Sequence, residues 1–363
     1  MPPATARPQS VLVRGPNWTG DLIMATPGFR ALRAGLPDAR IVLQVRENLA
    51  PLVAGAPWFD TVVGVPSYRS GPLEQWREAQ ALRRHGPFDL GLCLPDSFAA
   101  AFVMRLAGVR RIVGYRRGFR SALLHTAVPF PSEAGQRGLL ARERHVVGLI
   151  EAAGIASAGT HLELHATDEE VAAARTALGE RGLSPSDDYA VIAPGASYGP
   201  SKCWPATSFA SVGDALVRSG VQVAVIGPPD ERALTAEVVG AMKERAADLG
   251  GCFGLGALKA AMQGARLLVC NDAGARHIAV AFGVPCVVMM GPTALEKTNM
   301  NLERVSVLTA DVSCRPCYQR ECPIDHRCMT RIAPEEVAAE AMRALADRTG
   351  FVGVQKQCAG EAA

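Results

Sequence analysis

Apolar residues in this chain come in short runs separated by stretches with helical spacing. In the first half, Val11 to Arg14, Ile41 to Val45, Thr61 to Val65, Leu90 to Leu94 and Ile112 to Gly114 read as strands. Leu22 to Ala34, Leu73 to Arg84 and Phe98 to Leu106 carry helical spacing between them. The second half repeats the alternation. Tyr189 to Ala193, Val221 to Ile226, Leu267 to Cys270 and Cys286 to Met290 read as strands; Thr207 to Arg218, Glu231 to Ala246 and Ala275 to Phe282 read as helices. Strands alternating with helices predict βαβ units and parallel sheets. Leu164 to Pro185 holds one helical pattern among polar, Gly and Pro residues and reads as a linker region. The expected architecture is α/β. A Rossmann-like domain over 1–165 is followed by a linker over 166–188 and a second Rossmann-like domain over 189–348, with parallel sheets facing a central cleft. A last helix spans Pro334 to Arg348, and 349–363 reads as a loose tail.

Composition changes this picture little. The 363 residues are 48% hydrophobic and 20% charged, an ordinary globular balance, and the length suits two domains. A net charge of +3 is too small to point to nucleic acid. No apolar run reaches the ~18 residues of a membrane span. Met1 to Ser10 lacks the apolar core of a secretory signal, so the expected location is the cytoplasm, with the ten cysteines reduced.

The candidate chemistry sits where strands end. After the first strand comes Arg14-Gly15-Pro16-Asn17-Trp18-Thr19-Gly20-Asp21, a turn into a helix. Ligands of open α/β sheets bind outside the carboxyl ends of the strands. Asp21 there reads either as a helix cap or as a base whose ionised form the helix dipole favours. After the first strand of the second half, Pro194 to Pro205 is a small-residue loop ending in Lys202; free N–H groups with an ammonium suit a diphosphate, and a solvated surface loop is the plainer reading. Cys270-Asn271-Asp272-Ala273-Gly274-Ala275-Arg276-His277 is a second strand-turn-helix, and Gly291-Pro292-Thr293 follows the next strand. Asp272 either holds the loop or takes a sugar hydroxyl. Arg276 and His277 are placed to offset negative charge, but a lone histidine is more often structural, so His277 reads equally as a residue packed on the helix. Neither a G-x-G-x-x-G turn after a strand nor a correctly spaced P-loop is present: Gly251-Cys252-Phe253-Gly254-Leu255-Gly256 runs in the wrong order. A dehydrogenase or P-loop ATPase is thereby disfavoured.

On these motifs the chain resembles the family 9 glycosyltransferases, specifically ADP-heptose:lipopolysaccharide heptosyltransferases of the heptosyltransferase II type, from about Val11 to Leu345. The carrying motifs are Val11 to Met24 with Gly20-Asp21, Pro194 to Pro205 with Gly199-Pro200-x-Lys202-x-Trp204-Pro205, and Asn271 to His277 followed by Gly291-Pro292-Thr293. The resemblance implies a GT-B fold and inverting transfer that requires no metal or other cofactor. ADP-heptose would be the donor and a lipopolysaccharide inner-core precursor the acceptor. It makes Asp21 the general base, with Thr19 and Gly20 beside it. Lys202, Gly195, Ala196 and Ser197 become diphosphate contacts. Asp272, Gly274, Arg276, His277 and Thr293 become donor contacts, and Glu231 faces the nucleoside. Ala273 and Arg276 depart from the residues common in the family. The near alternative is a family 9 enzyme using another nucleotide sugar; the distant one is a non-catalytic or redox or metal protein built on the Cys cluster.

Arg116, Arg117 and Arg120 belong to an arginine cluster in the first domain. It reads either as an acceptor site for carboxylates and phosphates or as a solvated basic face. Peripheral contact with the inner face of the inner membrane would follow from that charge, with Phe119 and Leu123 to Leu124 at the interface or in the core. Cys314, Cys317, Cys322 and Cys328, with His326, form a dense cluster. A structural metal, a disulfide and free thiols are its three readings, with the metal not favoured.

Overall fold

The computed structural model describes residues 7–66, 71–130, 132–133, 136–137, 140–184, 187–347 and 350–358. The chain divides into two compact units, 1–165 with 296–300, and 166–295 with 301–363.

The first unit contains β1 (Ser10–Arg14), α1 (Thr19–Ile23), α2 (Thr26–Gly35), β2 (Arg40–Arg46), β3 (Thr61–Val65), α3 (Pro72–Arg83), β4 (Leu90–Cys93), α4 (Phe98–Leu106), β5 (Arg111–Tyr115) and β6 (Thr126–Val128). A ribbon of β7 (Ser132–Glu133) and β8 (Gln136–Arg137) leads to α5 (Arg142–Ala152). The sheet runs β3-β2-β1-β4-β5-β6 with every pair parallel. Its strands are short apolar runs because parallel sheets are covered on both faces. Leu12, Val42, Leu82, Phe88, Met104 and Ile112 form part of one core cluster.

The single helix expected over Leu22 to Ala34 is two helices. Pro27 stands in the first turn of α2, where its missing N–H costs nothing but where it cannot continue a helix from before. Helix α5 was hidden behind its arginines. It lies close to α2 because an α2 position is glycine: a Cβ on Gly28 would stand 2.5 Å from Val146, while one on Gly35 would stand 2.5 Å from Ile155 in the segment after α5.

The second unit contains α6 (Asp168–Glu180), β9 (Tyr189–Ala193), α7 (Ala206–Arg218), β10 (Gln222–Gly227), α8 (Arg232–Ala241), β11 (Ala247–Gly250), α9 (Leu255–Gln263), β12 (Leu267–Asn271), α10 (Gly274–Ala281), β13 (Cys286–Met289), β14 (Val305–Ala310), α11 (Arg327–Thr330), α12 (Pro334–Ala346) and β15 (Gln355–Cys358). Its sheet is parallel in the order β11-β10-β9-β12-β13-β14-β15. Trp204, Phe209, Leu216, Val225, Met289 and Phe351 belong to its core.

Two expected boundaries change. The segment read as a linker contains α6, which belongs to the second unit. Thr167 and Glu170 form a capping box, the fully buried Lys259 ammonium lies 3.0 Å from Glu170, and Ala174 packs with Ala260 and Ala261. Residues 185–186 lie outside the described residues. The segment read as a loose tail supplies β15, parallel to β14, with Cys358 fully buried. Of that segment, residues 349 and 359–363 lie outside the described residues. Gln355-Lys356-Gln357 is too polar to register as a strand by hydrophobicity, because an edge strand leaves its side chains in water.

Both sheets share one topology. The strand order reverses between β1 and β4 in the first unit and between β9 and β12 in the second. Ligands bind beyond the carboxyl ends of strands at such switch points. The turns that matter are therefore those after β1, β4, β9 and β12.

Candidate active site

In the first unit, the turn after β1 enters α1 with Trp18 as an extended N-cap and no capping side chain. Asp21 in the first turn reaches instead toward α5, with Oδ1 3.2 Å from Arg142 Nε. Both side chains stay about a quarter exposed, at 27% and 26%. Burial lifts the Asp21 carboxyl above its ordinary value; Arg142 opposes the lift and Asp96 adds to it. Asp96 occupies the turn after β4, the other strand of the switch point. Arg120 Nη2 lies 3.3 Å from its Oδ1 and Arg117 Nη1 3.4 Å from its Oδ2.

The three arginines named from sequence have different fates. Arg116 is exposed. Arg117 is 65% exposed, with its guanidinium 5.7 Å from the Phe130 ring centre. Arg120 is corrected from ligand contact to scaffold: it is buried, and its guanidinium donates to the carbonyls of Tyr115 and Pro95 and to Asp96. A guanidinium spent on carbonyls shapes the β4 turn and has little left for a ligand. Phe119 is exposed, whereas Leu124 packs in the core. Thr19 and Gly20 lie half-buried in the first turn of α1.

Sequence reading missed Asp96 and His145, and it placed Arg142 only among the arginines that follow the basic cluster of the first domain, not beside Asp21. The His145 imidazole is pushed down to about 4 by burial and by Arg142, so it is neutral at physiological pH. Asp96 was findable, since it follows a predicted strand. No local signal linked Arg142 to Asp21; the α2–α5 packing brings them together.

In the second unit, the turns after β9, β12 and β13 meet on one carboxylate. Asp272 Oδ2 accepts from Lys202 Nζ at 2.6 Å and from Thr293 Oγ1 at 2.9 Å. Its Oδ1 accepts from Arg276 Nη1 at 3.3 Å. Lys202 Nζ also donates to the Asp272 carbonyl at 2.9 Å. Burial alone would raise the Asp272 carboxyl, but Lys202 and Arg276 outweigh it and hold the group at about 2. Of the two roles open to Asp272, the structure shows it holding the loops.

Asn271 fixes the same turns: it accepts from Trp204 N at 3.0 Å and donates to the Pro194 carbonyl at 2.6 Å. His277 is buried beside Arg276 and pushed down to about 3, first by desolvation and then by that cation. Of its two readings, the buried and neutral His277 fits the structural histidine and not the charge-offsetting cation. Arg276 is 1% exposed and turned onto Asp272.

Gly195 begins the loop and is tied to Glu231. A Cβ at Gly195 would stand 1.7 Å from Glu231 Oε2, so only glycine admits the acid there. Burial, then Asp230, push the Glu231 carboxyl up to about 7. Ala196 is half-buried and Ser197 exposed, while Gly274 opens α10. Cys314, Cys317, Cys322 and Cys328 are free thiols. Among the described residues, no group of three or more His, Cys, Asp or Glu side chains is arranged to hold a metal ion. No helix of the described residues is long and apolar enough to cross a membrane.

Two doubly wound sheets, one carrying a partly buried aspartate and the other a lysine-bearing small-residue loop, define the GT-B class of glycosyltransferases. Residues 75–327 match the model of glycosyltransferase family 9 (heptosyltransferase). The chain is 28% identical to lipopolysaccharide heptosyltransferase 2 of Salmonella typhimurium, over 79% of this chain and 84% of that protein. In fold it is similar to a family 9 glycosyltransferase of Veillonella parvula, with a TM-score of 0.81 at 21% identity, covering 93% and 97% of the two chains. It is likewise similar to ADP-heptose lipopolysaccharide heptosyltransferase II of Escherichia coli, with a TM-score of 0.78 at 22% identity over 93% and 98%. The chain belongs to glycosyltransferase family 9, and it is a glycosyltransferase.

Proposed function

We propose that this enzyme moves heptose from ADP-heptose to the inner core of lipopolysaccharide, with inversion and with Asp21 as the base. One observation carries the mechanism: the two units place complementary groups at matching switch points. Asp21 in the first is a carboxylate whose pKa is lifted toward working pH. The Lys202–Asp272–Arg276 cluster in the second is a buried group with one net positive charge. Inverting transfer needs a proton acceptor on the attacking hydroxyl and stabilisation of the departing diphosphate. Asp21 takes the hydroxyl proton as the oxygen attacks the anomeric carbon. Lys202, the N–H groups of 195–199 and the N-terminus of α10 at Gly274 receive the charge developing on ADP. Preorganised charge of this kind is commonly the largest catalytic term. Thr293 holds Asp272, Thr19 and Gly20 shape the acceptor turn, and His277 acts as a neutral hydrogen-bonding group. Heptose as the sugar and the lipopolysaccharide core as the acceptor rest on the named relatives. Arg116 and Arg117 fit the anionic groups of such an acceptor, and peripheral attachment to the inner membrane from the cytoplasmic side follows from the acceptor's location.

The test is mass spectrometry of a heptose-bearing core acceptor incubated with enzyme and ADP-heptose. A gain of one heptose is expected. If ADP-glucose or another nucleotide sugar transfers while ADP-heptose does not, the donor reading fails.

Glu231 supplies a second check. A carboxyl accepts ribose hydroxyls more strongly when ionised, and this one is held at about 7. The affinity for ADP should therefore rise between pH 6 and 8 more steeply in the wild type than in Glu231→Gln. The titration of ADP itself is common to both proteins. Calorimetric titration checks this, and parallel pH profiles would remove Glu231 from the nucleoside site.

A further inference from the structure

The Cys-rich segment 314–328 is the one motif that the proposed reaction does not use. Its contacts are specific. All three polar groups of Ser201, the residue before Lys202, are held by it. Ser201 N donates to the Arg320 carbonyl at 3.1 Å, and Ser201 Oγ donates to the Gln319 carbonyl at 2.6 Å. His326 Nε2 lies 2.7 Å from the Ser201 carbonyl. A carbonyl can only accept, so that nitrogen carries the proton. Tyr198 Oη donates to the Tyr318 carbonyl at 2.5 Å, and the Arg320 guanidinium lies 5.5 Å from the centre of the Tyr198 ring.

The close approach depends on Gly199, whose φ is +149°; a Cβ there would meet the Arg320 carbonyl oxygen at 2.5 Å. The same segment also grips the turn after β13. Cys317 N and Tyr318 N donate to the Pro292 carbonyl at 3.1 and 2.9 Å, and Arg315 Nε donates to the Gly291 carbonyl at 2.6 Å. Tyr318 and His326 adopt left-handed backbone, with φ of 54° and 61°. Non-glycine residues are held in that region only where surrounding contacts over-determine it. Both residues touch the site loops through the bonds just given.

We infer that segment 314–328 is a clamp that sets the donor-phosphate loop, with His326 as the positioning residue for Lys202. The clamp fixes the 198–202 loop and the 291–293 turn together, and these deliver Lys202 and Thr293 to Asp272. His326 touches no reacting atom; it fixes the peptide that leads into Lys202. The thiols gather at the base: burial, then Cys314, Cys322 and Cys317, push the Cys328 thiol up to about 11. Cys328 and Met329 pack against Gly291, where a Cβ would stand 3.0 Å from the thiol sulfur and 2.4 Å from the methionine sulfur.

This inference rests on Lys202 being a diphosphate contact, so the experiment includes Lys202→Ala. ADP is titrated calorimetrically into full-length wild type, H326A, H326Q and K202A, with the unfolding midpoint of each recorded. H326A is expected to bind ADP about tenfold more weakly with an unchanged midpoint, since a small misplacement of a positioned group costs that much or more. The donor KM should rise correspondingly. H326Q, which keeps an N–H donor, should recover most of the affinity. Wild-type affinity in H326A, or H326Q as weak as H326A, overturns the inference. Should H326A fail to fold, Tyr198→Phe decides in its place, since it removes the bond to Tyr318 and keeps the ring; unchanged ADP affinity there likewise overturns the clamp. If K202A binds ADP as well as the wild type, the reading of Lys202 fails instead, and the two failures are distinguishable.

Discussion

Asp21→Asn is expected to lower heptosyl transfer by about 10²–10⁴-fold while leaving donor binding unchanged, the usual worth of a general base. The substitution keeps the size of the side chain and its place beside Arg142 and removes only its basicity. The donor contacts proposed above come from the second unit, so ADP affinity has no reason to move. The pH profile gives a second signature. Burial raises the Asp21 carboxyl, Arg142 opposes that rise and Asp96 reinforces it. The other charged groups around this turn are Arg46, which donates to the Asn17 carbonyl at 3.5 Å, and Glu47, which opens the helical turn packed against α1. Transfer should fall as pH drops through the raised value, because the protonated acid cannot accept a proton. Arg142→Leu removes the cation that pairs with Asp21 among the described residues and should shift that acid limb to higher pH. Rates of transfer measured across pH for wild type, Asp21→Asn and Arg142→Leu test both points. An Asn variant within a factor of about three of wild type would reduce Asp21 to a structural acid.

The second large effect is on stability. Asp272→Asn should destabilise the second unit by about 3–5 kcal/mol, because it leaves the Lys202 and Arg276 charges buried without their counter-charge. Asn keeps the shape and can still accept from Thr293, so lost volume does not explain the loss. The sign of the pH dependence follows from the pKa values. Asp272 is held at about 2 in the folded chain against 3.8 ordinarily, so its contribution is present above 3.8 and lost as pH falls toward 2. The gap between wild type and variant should therefore narrow over that window. His277 acts on both proteins. It is held neutral down to about 3 in the folded state, whereas the unfolded chain takes up a proton near 6.5. Stability therefore declines as pH falls below 6.5 in wild type and variant alike. Urea unfolding of both proteins at pH 7 and in the acid window measures the difference. A loss below about 1 kcal/mol at pH 7 would show that solvent, not Asp272, screens the two cations.

The alternation of apolar runs and helical spacing was enough to read two parallel-sheet units, because each strand and helix is specified by neighbours within a few residues. The turns after β1, β9, β12 and β13 were legible for the same reason. They lie at strand ends, where glycine and small residues break the pattern and a charged residue stands out. Local patterning also explains what was missed. Helix α5 begins in a run of charge, β15 is polar, and α6 packs through a capping box and an ion pair rather than a wide apolar stripe.

Tertiary structure alone decided the charges. Asp21 meets Arg142 because Gly28 lets α5 approach α2. Lys202 and Asp272 stand on the turns after β9 and β12, strands that are neighbours in the sheet but far apart in sequence. Arg120, Arg276 and His277 were candidates for meeting a ligand's negative charge, yet packing buries all three. It commits the first to backbone carbonyls, turns the second onto Asp272 and strips the third of its proton. The physical reason is that hydrophobic periodicity is written locally, whereas the electrostatic character of a side chain depends on the solvent and partners that distant segments bring to it.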